Sequence, residues 1–277
     1  MTTLQNGRLK NIGPVALIGA GKMGGAMLEG WLASGLDPNK VVVVEPNPAP
    51  EILSLVQRGV TINPPAGAVA NLAAVVLAVK PQVAPEVMAG VAAMVSPRTL
   101  VLSIMAGRTI AFLEGHVPGA AVVRTIPNTP AAIGRGMTVA VANARVSAAQ
   151  RALADDLLAA TGAVEWVEEE ALIDAATAVS GSGPAYVFLL AETLAKAGVA
   201  AGLPQRLADN LARVTVSGAG ELLHRSPLDP ATLRKNVTSP GGTTAAALEI
   251  LMGPDGLEKL MREAVAAATG RSRELAG

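Results

Sequence analysis

The feature that most constrains the fold is a glycine-rich turn between a short apolar run and a helix-like segment. Val15–Ile18 is followed by Gly19-Ala20-Gly21-Lys22-Met23-Gly24, and then by Met27, Leu28 and Trp31 at helical spacing. G-x-G-x-x-G at a strand–turn–helix junction is typical of dinucleotide-binding units. The first glycine permits a tight turn, the second lets a pyrophosphate approach the backbone, and the third lets the helix pack against the strand. The pyrophosphate then lies at the helix N-terminus.

Short apolar runs of the same kind recur through the first half of the chain. They are Val15–Ile18, Val41–Val44, Val75–Val79, Leu100–Ile104 and Ala121–Arg124. Such strands, alternating with helical segments, predict a mainly parallel sheet with helices on both faces. From about Glu168 onward the pattern is helical, over 172–179, 185–198, 204–223, 243–251 and 257–273. The sequence therefore predicts an α/β fold, with a Rossmann-type domain over 1–165 and an all-α domain over 166–277.

Composition excludes several classes of function. Lys plus Arg and Asp plus Glu each number 22 and no dense basic run occurs, which argues against a nucleic-acid partner. The absence of cysteine excludes disulfides and thiolate metal sites, and His116 and His224 lack partners at metal-ligand spacing, so no metal is predicted. The apolar stretch Leu72–Val79 is far shorter than the ~20 residues that cross a bilayer. We expect a cytoplasmic protein that does not enter a membrane.

Residues at the carboxyl ends of the strands are the predicted cofactor contacts, because ligands of open α/β sheets bind there. Glu45 favours NADH, since an acid at this place holds a ribose 2′-hydroxyl and repels a 2′-phosphate, although a solvated strand-end glutamate is an alternative. Asn47 can donate to a phosphate, so NADPH stays open, and Lys80 can equally be an ordinary surface lysine. The predicted cofactor-binding residues are Ile18, Gly19, Ala20, Gly21, Lys22, Met23, Gly24, Glu45, Asn47, Ala78, Val79, Lys80, Pro81, Met105 and Ala106.

A second glycine-rich segment, Ser239-Pro240-Gly241-Gly242-Thr243-Thr244, precedes an alanine-rich helical pattern. A helix N-terminus has unpaired N–H groups and a partial positive charge, so it attracts an anion. The hydroxyl groups of this segment can bind a ligand or serve as an ordinary helix cap. A different turn, Ser180–Pro184, does not match G-x-S-x-G and no predicted strand leads into it, which favours a tight helix entry over a nucleophile elbow.

Five motifs occur in the order found in pyrroline-5-carboxylate reductases, which the chain resembles over nearly its whole length. They are Gly19–Gly24, Ala78–Pro81, Arg124–Pro130, Val179–Tyr186 and Val237–Thr244, of which the last three are the most distinctive. The resemblance implies hydride transfer from NADPH or NADH to the C=N carbon of 1-pyrroline-5-carboxylate, which gives L-proline in the final step of proline biosynthesis. It also implies a helical dimerisation domain, in a homodimer or higher homo-oligomer.

The resemblance further implies a set of substrate contacts, with the substrate carboxylate at residues 239–244. The predicted substrate-binding residues are Glu170, Asn236, Ser239, Gly241, Gly242, Thr243 and Thr244, with Thr244 as the catalytic residue. Glu170 lies in a run of three glutamates and can equally be a solvated helix start. Arg124 and the loop 127–130 are predicted either to shape the pocket or to be purely conformational.

Two other functions stay open on the residues alone. A reductase of the hydroxyacid-dehydrogenase type resembles this two-domain plan, but its catalytic lysine would fall at Val187, four residues after Gly183. A non-catalytic dinucleotide sensor is the second alternative. The motifs contain no evident general acid, and a protonated cyclic imine is already electrophilic. The sequence therefore predicts catalysis mainly through proximity and orientation.

Overall fold

The computed structural model of the chain describes residues 7–65 and 67–276. The chain divides into two compact units. The first contains the residues up to Gly181 and those from Ala268 onward, and the second is Ser182–Ala267. The predicted domain boundary at residue 165 stays a prediction. No helix in the described part of the chain combines the length and the apolar character needed to cross a membrane.

The first unit is built on one sheet of eight strands within the described residues. The strands are β1 Val15–Ile18, β2 Val41–Val44, β3 Thr61–Ile62, β4 Ala74–Leu77, β5 Leu100–Ser103, β6 Ala121–Ile126, β7 Gly136–Ala142 and β8 Gly162–Trp166. Their order is β3-β2-β1-β4-β5-β6-β7-β8, and only the β6–β7 pair is antiparallel. The prediction of an α/β fold with a mainly parallel sheet is confirmed.

Helices of the first unit cover both faces of this sheet. They are α1 Lys22–Ala33, α2 Pro50–Ser54, α3 Ala84–Ala92, α4 Ile110–His116, α5 Ala148–Ala159 and α6 Leu172–Ala176. Side chains alternate along β1: Val15 and Leu17 join a core with α1, α2 and α5, whereas Ala16 and Ile18 join a core with α3 and α4. The buried Trp31 of α1 donates its Nε1–H to the Leu157 carbonyl of α5 at 2.8 Å. Burial on both faces explains why the central strands are continuous apolar runs.

The second unit is helical, as predicted. Its helices are α7 Gly183–Ala200, α8 Gln205–Arg225, α9 Pro230–Asn236, α10 Thr243–Leu251 and the first part of α11 Leu257–Ala276. Helices α7 and α8 pack through small residues, since Ala195, Ala208 and Ala212 are buried and a Cβ on Gly198 would lie 3.3 Å from the Ala208 Cβ. An antiparallel pair of this kind is the expected result of the short connection between them.

Several element boundaries differ from the prediction. The strands predicted over 75–79 and 100–104 end earlier, at Leu77 and Ser103, and the strand predicted over 121–124 continues to Ile126. The helix predicted over 172–179 is interrupted, because a π-helical turn, Thr177–Gly181, follows α6. Strands β3, β7 and β8 and helix α9 lie outside the predicted set. Strands β3 and β8 and helix α9 are short or half-exposed, so they lack the apolar signal of a buried strand or a long helix. Strand β7 is largely buried, but glycine, threonine and alanine make up most of it and weaken its apolar signal.

Candidate cofactor and substrate sites

The parallel register brings the carboxyl ends of five strands to one edge of the sheet. Ile18 pairs with Val44 and Leu77, and Ser103 pairs with Leu77 and Arg124. The chain leaves β1 toward one side of the sheet and β4 toward the other, so the order reverses between them. Open α/β sheets bind their ligands at such a switch point. All the predicted cofactor-binding residues lie at this edge, in the last residue of β1 and the segments after β1, β2, β4 and β5.

The three glycines after β1 each have a separate steric role. Gly19 has φ +91°, and a Cβ there would lie 2.7 Å from the Ala78 carbonyl oxygen. Gly24 is buried at the start of α1, where a Cβ would overlap the Gly19 carbonyl oxygen. Gly21 is the N-cap of α1, has no side-chain cap, and would place a Cβ in open space. The turn is therefore closed on its packed side and open at Gly21, which suits the approach of a pyrophosphate.

Glu45 lies directly against this turn. Its Oε2 accepts the Ala20 backbone N–H at 2.9 Å, and its Oε1 accepts the Asn47 N–H at 3.1 Å. Asn63 holds the main chain of Glu45 from both sides, since its Oδ1 accepts the Glu45 N–H at 2.9 Å and its Nδ2–H donates to the Glu45 carbonyl at 2.8 Å. Asn63 was missed by the sequence reasoning. The one available signal was its residue type, because asparagine is enriched at positive φ and Asn63 has φ +47°.

The loops after β4 and β5 are tied together by Arg108, which the sequence reasoning also missed. The Pro81 carbonyl accepts the Nε–H and Nη2–H of Arg108 at 3.0 and 2.6 Å. The Arg108 guanidinium lies 4.6 Å from the centre of the Phe112 ring, which supports its orientation. The predicted contacts Lys80 and Ala106 are exposed in these loops, whereas Met105 is buried. One side chain thus fixes two of the segments predicted to contact the cofactor.

Arg124 and Glu170 form an ion pair at the carboxyl end of β6. The buried Arg124 places Nη1 2.7 Å from Glu170 Oε1, and the same oxygen accepts the Ile110 N–H at the start of α4 at 2.8 Å. Arg124 Nε is buried and has no hydrogen-bond partner in the structure. This ion pair gives Arg124 and Glu170 a structural role, because it links β6 to the start of α4. The predicted contact between Glu170 and the substrate stays a prediction.

Asn128 anchors the loop that follows β6. Its Oδ1 accepts the Met137 N–H at 2.8 Å, and its Nδ2 donates to the Oγ and carbonyl oxygen of Ser180 at 3.2 and 3.3 Å. Helix α6, not a strand, leads into the π-helical turn that contains Ser180. This arrangement agrees with the prediction of a helix entry and not with a nucleophile elbow.

In the second unit, the segment 239–244 forms the entry to α10. The N-cap is Gly242 and no side chain caps the helix, so the ordinary Ser/Thr cap is not formed. Gly241 has φ +69°, and the Gly242 N–H donates to the Ser239 carbonyl at 3.0 Å. Ser239, Thr243 and the nearby Asn236 are exposed, and Thr244 is half-buried. The first turn of α10 therefore presents N–H groups that no side chain caps, as an anion site requires.

Groups of three or more histidine, aspartate or glutamate side chains that could hold a metal ion were not found in the described part of the chain. His116 Nδ1 lies 2.8 Å from the Phe112 carbonyl oxygen, and its ring lies 4.5 Å from the Phe112 ring between centres. Its contacts are therefore those of a side chain packed at a helix end.

Comparison with known proteins gives family matches to both halves of the chain. Residues 170–275 match a model described as pyrroline-5-carboxylate reductase dimerisation, and residues 14–107 match one described as NADP oxidoreductase, coenzyme F420-dependent. A pyrroline-5-carboxylate reductase from Pseudomonas aeruginosa is 40% identical over 264 residues, which cover 95% of this chain and 96% of that one.

Two solved structures extend the likeness to three dimensions. A pyrroline-5-carboxylate reductase from Coxiella burnetii is 34% identical, with a TM-score of 0.87 over 96% of this chain and 100% of that one. The Plasmodium falciparum pyrroline carboxylate reductase with NADP bound is 29% identical, with a TM-score of 0.81 over 97% of this chain and 100% of that one. The chain therefore belongs to the pyrroline-5-carboxylate reductase family of NAD(P)H-dependent oxidoreductases.

Proposed function

We propose that the chain reduces 1-pyrroline-5-carboxylate to L-proline with NADPH or NADH, as the final step of proline biosynthesis. The observation that carries this proposal is the 40% identity to a reductase of that name across 95% of the chain. The likeness spans both compact units, so it includes the glycine turn after β1 as well as the entry to α10. A sheet fold shared by many oxidoreductases would not by itself support this reaction.

The first unit supplies a dinucleotide site whose residues fit the cofactor. Gly21 leaves the backbone uncovered, the N-terminus of α1 attracts the pyrophosphate, and the Glu45 carboxylate can accept ribose hydroxyl groups. When bound, the reduced nicotinamide supplies the hydride for the C=N carbon. The loops fixed by Arg108 then have the task of orienting the cofactor at the carboxyl edge of the sheet.

The second unit supplies a seat for the substrate carboxylate at α10. Gly241 and Gly242 leave the backbone accessible, and the N–H groups of the first turn are uncapped by side chains. The hydroxyl groups of Ser239, Thr243 and Thr244 add donors around that turn. Since a protonated cyclic imine is itself electrophilic, this site needs to bind and orient the ring more than to transfer a proton.

The test monitors the oxidation of NADH or NADPH by absorbance. It compares the rate with 1-pyrroline-5-carboxylate as substrate with the rate with β-keto acids. We expect turnover with the imine alone. Thr244→Ala should lower kcat/KM for the imine about tenfold or more, because a hydrogen bond to a charged group contributes ~1.5–3 kcal/mol. The affinity for the cofactor should be unchanged. Thr215→Ala, at an exposed threonine within α8, is the matched control and should retain wild-type kinetics.

Three outcomes would contradict this proposal. Turnover of β-keto acids without turnover of the imine would indicate the hydroxyacid-dehydrogenase type. Cofactor binding without any turnover would indicate a dinucleotide sensor. A loss in Thr244→Ala confined to cofactor affinity would remove Thr244 from the substrate site.

A homodimer or higher homo-oligomer, formed through the helical unit, is part of the same proposal. The matched family model is named for dimerisation. Large apolar side chains of this unit are exposed in the single chain, including Phe188 at 67% and Ile250 at 78%. Phe188→Glu should reduce the mass measured by light scattering, whereas Leu53→Glu, an exposed leucine in α2, should not. A monomeric wild type would refute the assembly. An oligomeric wild type whose mass is unchanged in Phe188→Glu would refute an interface at Phe188.

The proposed location is the cytoplasm. A chain without cysteine is compatible with a reducing compartment, and NAD(P)H is available there. Fractionation of the source cells tests this, with recovery outside the cytoplasmic fraction as the contradicting result.

A further inference from the structure

We infer that Glu45 makes the chain selective for NADH over NADPH, and that Asn63 is the residue that positions Glu45 for this discrimination. The inference rests on the proposed function, because it concerns the cofactor of that reaction. It assigns a preference that membership of an NAD(P)H-dependent family leaves open.

The Glu45 carboxylate uses about half of its hydrogen-bonding capacity within the protein, which leaves room for the two hydroxyl groups of a ribose. An ionised carboxylate offers about four lone-pair sites. Two are taken by the Ala20 and Asn47 N–H groups, one on each oxygen. The remaining two can accept the 2′- and 3′-hydroxyl groups of an adenosine ribose. Both existing bonds come from neutral backbone groups, so they leave the negative charge of Glu45 in place against an incoming 2′-phosphate.

The turn after β2 is poor in the donors that a phosphate requires. Pro46 and Pro48 have no backbone N–H. The Asn47 N–H between them is already bonded to Glu45. A 2′-phosphate placed here would meet a carboxylate and two prolines, where phosphate sites normally present free N–H groups or an arginine. Among the side chains of residues 45–48, only the neutral Asn47 amide could donate to it. The same turn therefore favours a hydroxyl group over a phosphate.

Asn63 fixes the position of the carboxylate through the main chain. Its side chain bonds both the N–H and the carbonyl of Glu45, and its own N–H donates to the Val43 carbonyl at 2.8 Å. These bonds connect the end of β3 to the end of β2. Because both hydrogen bonds of the Asn63 side chain go to the main chain of Glu45, we assign Asn63 as a positioning residue and not as a ligand of the cofactor.

The experiment measures dissociation constants for NADH and NADPH on the full chain, by the fluorescence of the reduced nicotinamide and without substrate. Wild type should bind NADH at least about tenfold more tightly, which corresponds to ~1.4 kcal/mol. Glu45→Gln should improve NADPH binding at least about fivefold, because the repulsion is removed while an amide oxygen remains for Ala20. Asn63→Gly keeps the positive φ and removes the two bonds, so the ratio of the two constants should shrink several-fold.

The matched control is Asn71→Gly, since Asn71 also has positive φ, +57°, and is not among the hydrogen-bond partners of Glu45, which are Ala20, Asn47 and Asn63. The ratio of the NADH and NADPH dissociation constants in Asn71→Gly should equal that of wild type. This result would show that the change in Asn63→Gly comes from lost positioning of Glu45 and not from a general loss of stability. Equal affinities in wild type, or tighter NADPH binding, would overturn the inference. A ratio of the two dissociation constants that is unchanged in Glu45→Gln would also overturn it. If Glu45→Gln does not fold, the ratios measured for wild type and for Asn63→Gly provide the test.

The two proposals fail separately. If NADH binds selectively but the imine is not reduced, the selectivity stands and the proposed reaction falls. If the imine is reduced but NADPH binds more tightly, the reaction stands and the role of Glu45 falls.

Discussion

The glycine turn offers a comparison of the same substitution at two positions three residues apart. In Gly24→Ala the new Cβ would overlap the Gly19 carbonyl oxygen and lie 3.1 Å from the Ala78 Cβ. Overpacking of this kind costs ~1–3 kcal/mol. For a unit of this size, a loss of ~2 kcal/mol lowers Tm by roughly 4–8 °C.

In Gly21→Ala the fold should be almost unaffected. Gly21 has φ −69°, which alanine adopts without strain, and the added Cβ meets no atom within 4 Å. Alanine is a poorer N-cap than glycine by roughly 0.5–1 kcal/mol, but replacing glycine at a compatible φ also gains ~0.4–1 kcal/mol by lowering the entropy of the unfolded chain. The two effects nearly cancel, so Tm should change by no more than roughly 2 °C. The methyl group instead occupies the open side of the turn, so NADH affinity should fall at least about tenfold.

The assay combines thermal unfolding with titration by nicotinamide fluorescence on both variants. We expect Gly24→Ala to lose stability and Gly21→Ala to lose affinity at nearly wild-type Tm. If Gly21→Ala binds NADH as tightly as wild type, the pyrophosphate does not approach the chain at that glycine. If Gly24→Ala retains the wild-type Tm, the packing argument for the third glycine is wrong.

Two further predictions concern charges. Glu170→Gln should lower the free energy of unfolding by about 2 kcal/mol, less than the ~3–5 kcal/mol of a fully buried pair because Glu170 is 31% exposed; an unchanged denaturant midpoint would contradict this. At the start of α9, bonds from the Thr232 hydroxyl and N–H to the Asp229 carboxylate hold its pKa below the ordinary 3.8. The ionised Asp229 cap therefore stabilises α9 fully at pH values above 3.8, and this stabilisation is lost as pH falls through the lowered pKa. NMR titration of the Thr232 amide should follow this loss, and a midpoint at or above 3.8 would refute it.

The parts of the fold that the sequence predicted are those with strong local patterns. Val15–Ile18 is buried on both faces and followed by three glycines with distinct steric roles, so the first strand and its turn were identifiable. Helix α10 was predicted with its observed bounds, 243–251, because glycines precede its apolar run. In contrast, β8 alternates between half-buried and exposed residues, and α9 has only seven.

The parts of the site that the sequence did not predict depend on contacts distant along the chain. The Arg124–Glu170 pair joins residues 46 apart, and the Asn63–Glu45 bonds join residues 18 apart. Both come together only through the order of the strands in the sheet, which periodicity does not specify. Arg108 also had no local signal, since its bonds go to a carbonyl 27 residues earlier. Motifs thus indicated the candidate sites, whereas the residues that support those segments required the structure.

The most direct test of the central claim follows the hydride itself. Wild-type protein is incubated with 1-pyrroline-5-carboxylate and NADH deuterated at the transferable position, and the product is analysed by mass spectrometry and NMR. The account predicts L-proline with a single deuterium on the former C=N carbon, formed in equal amount to the NADH oxidised. Oxidation of the cofactor without labelled proline, or deuterium at any other carbon, would contradict it.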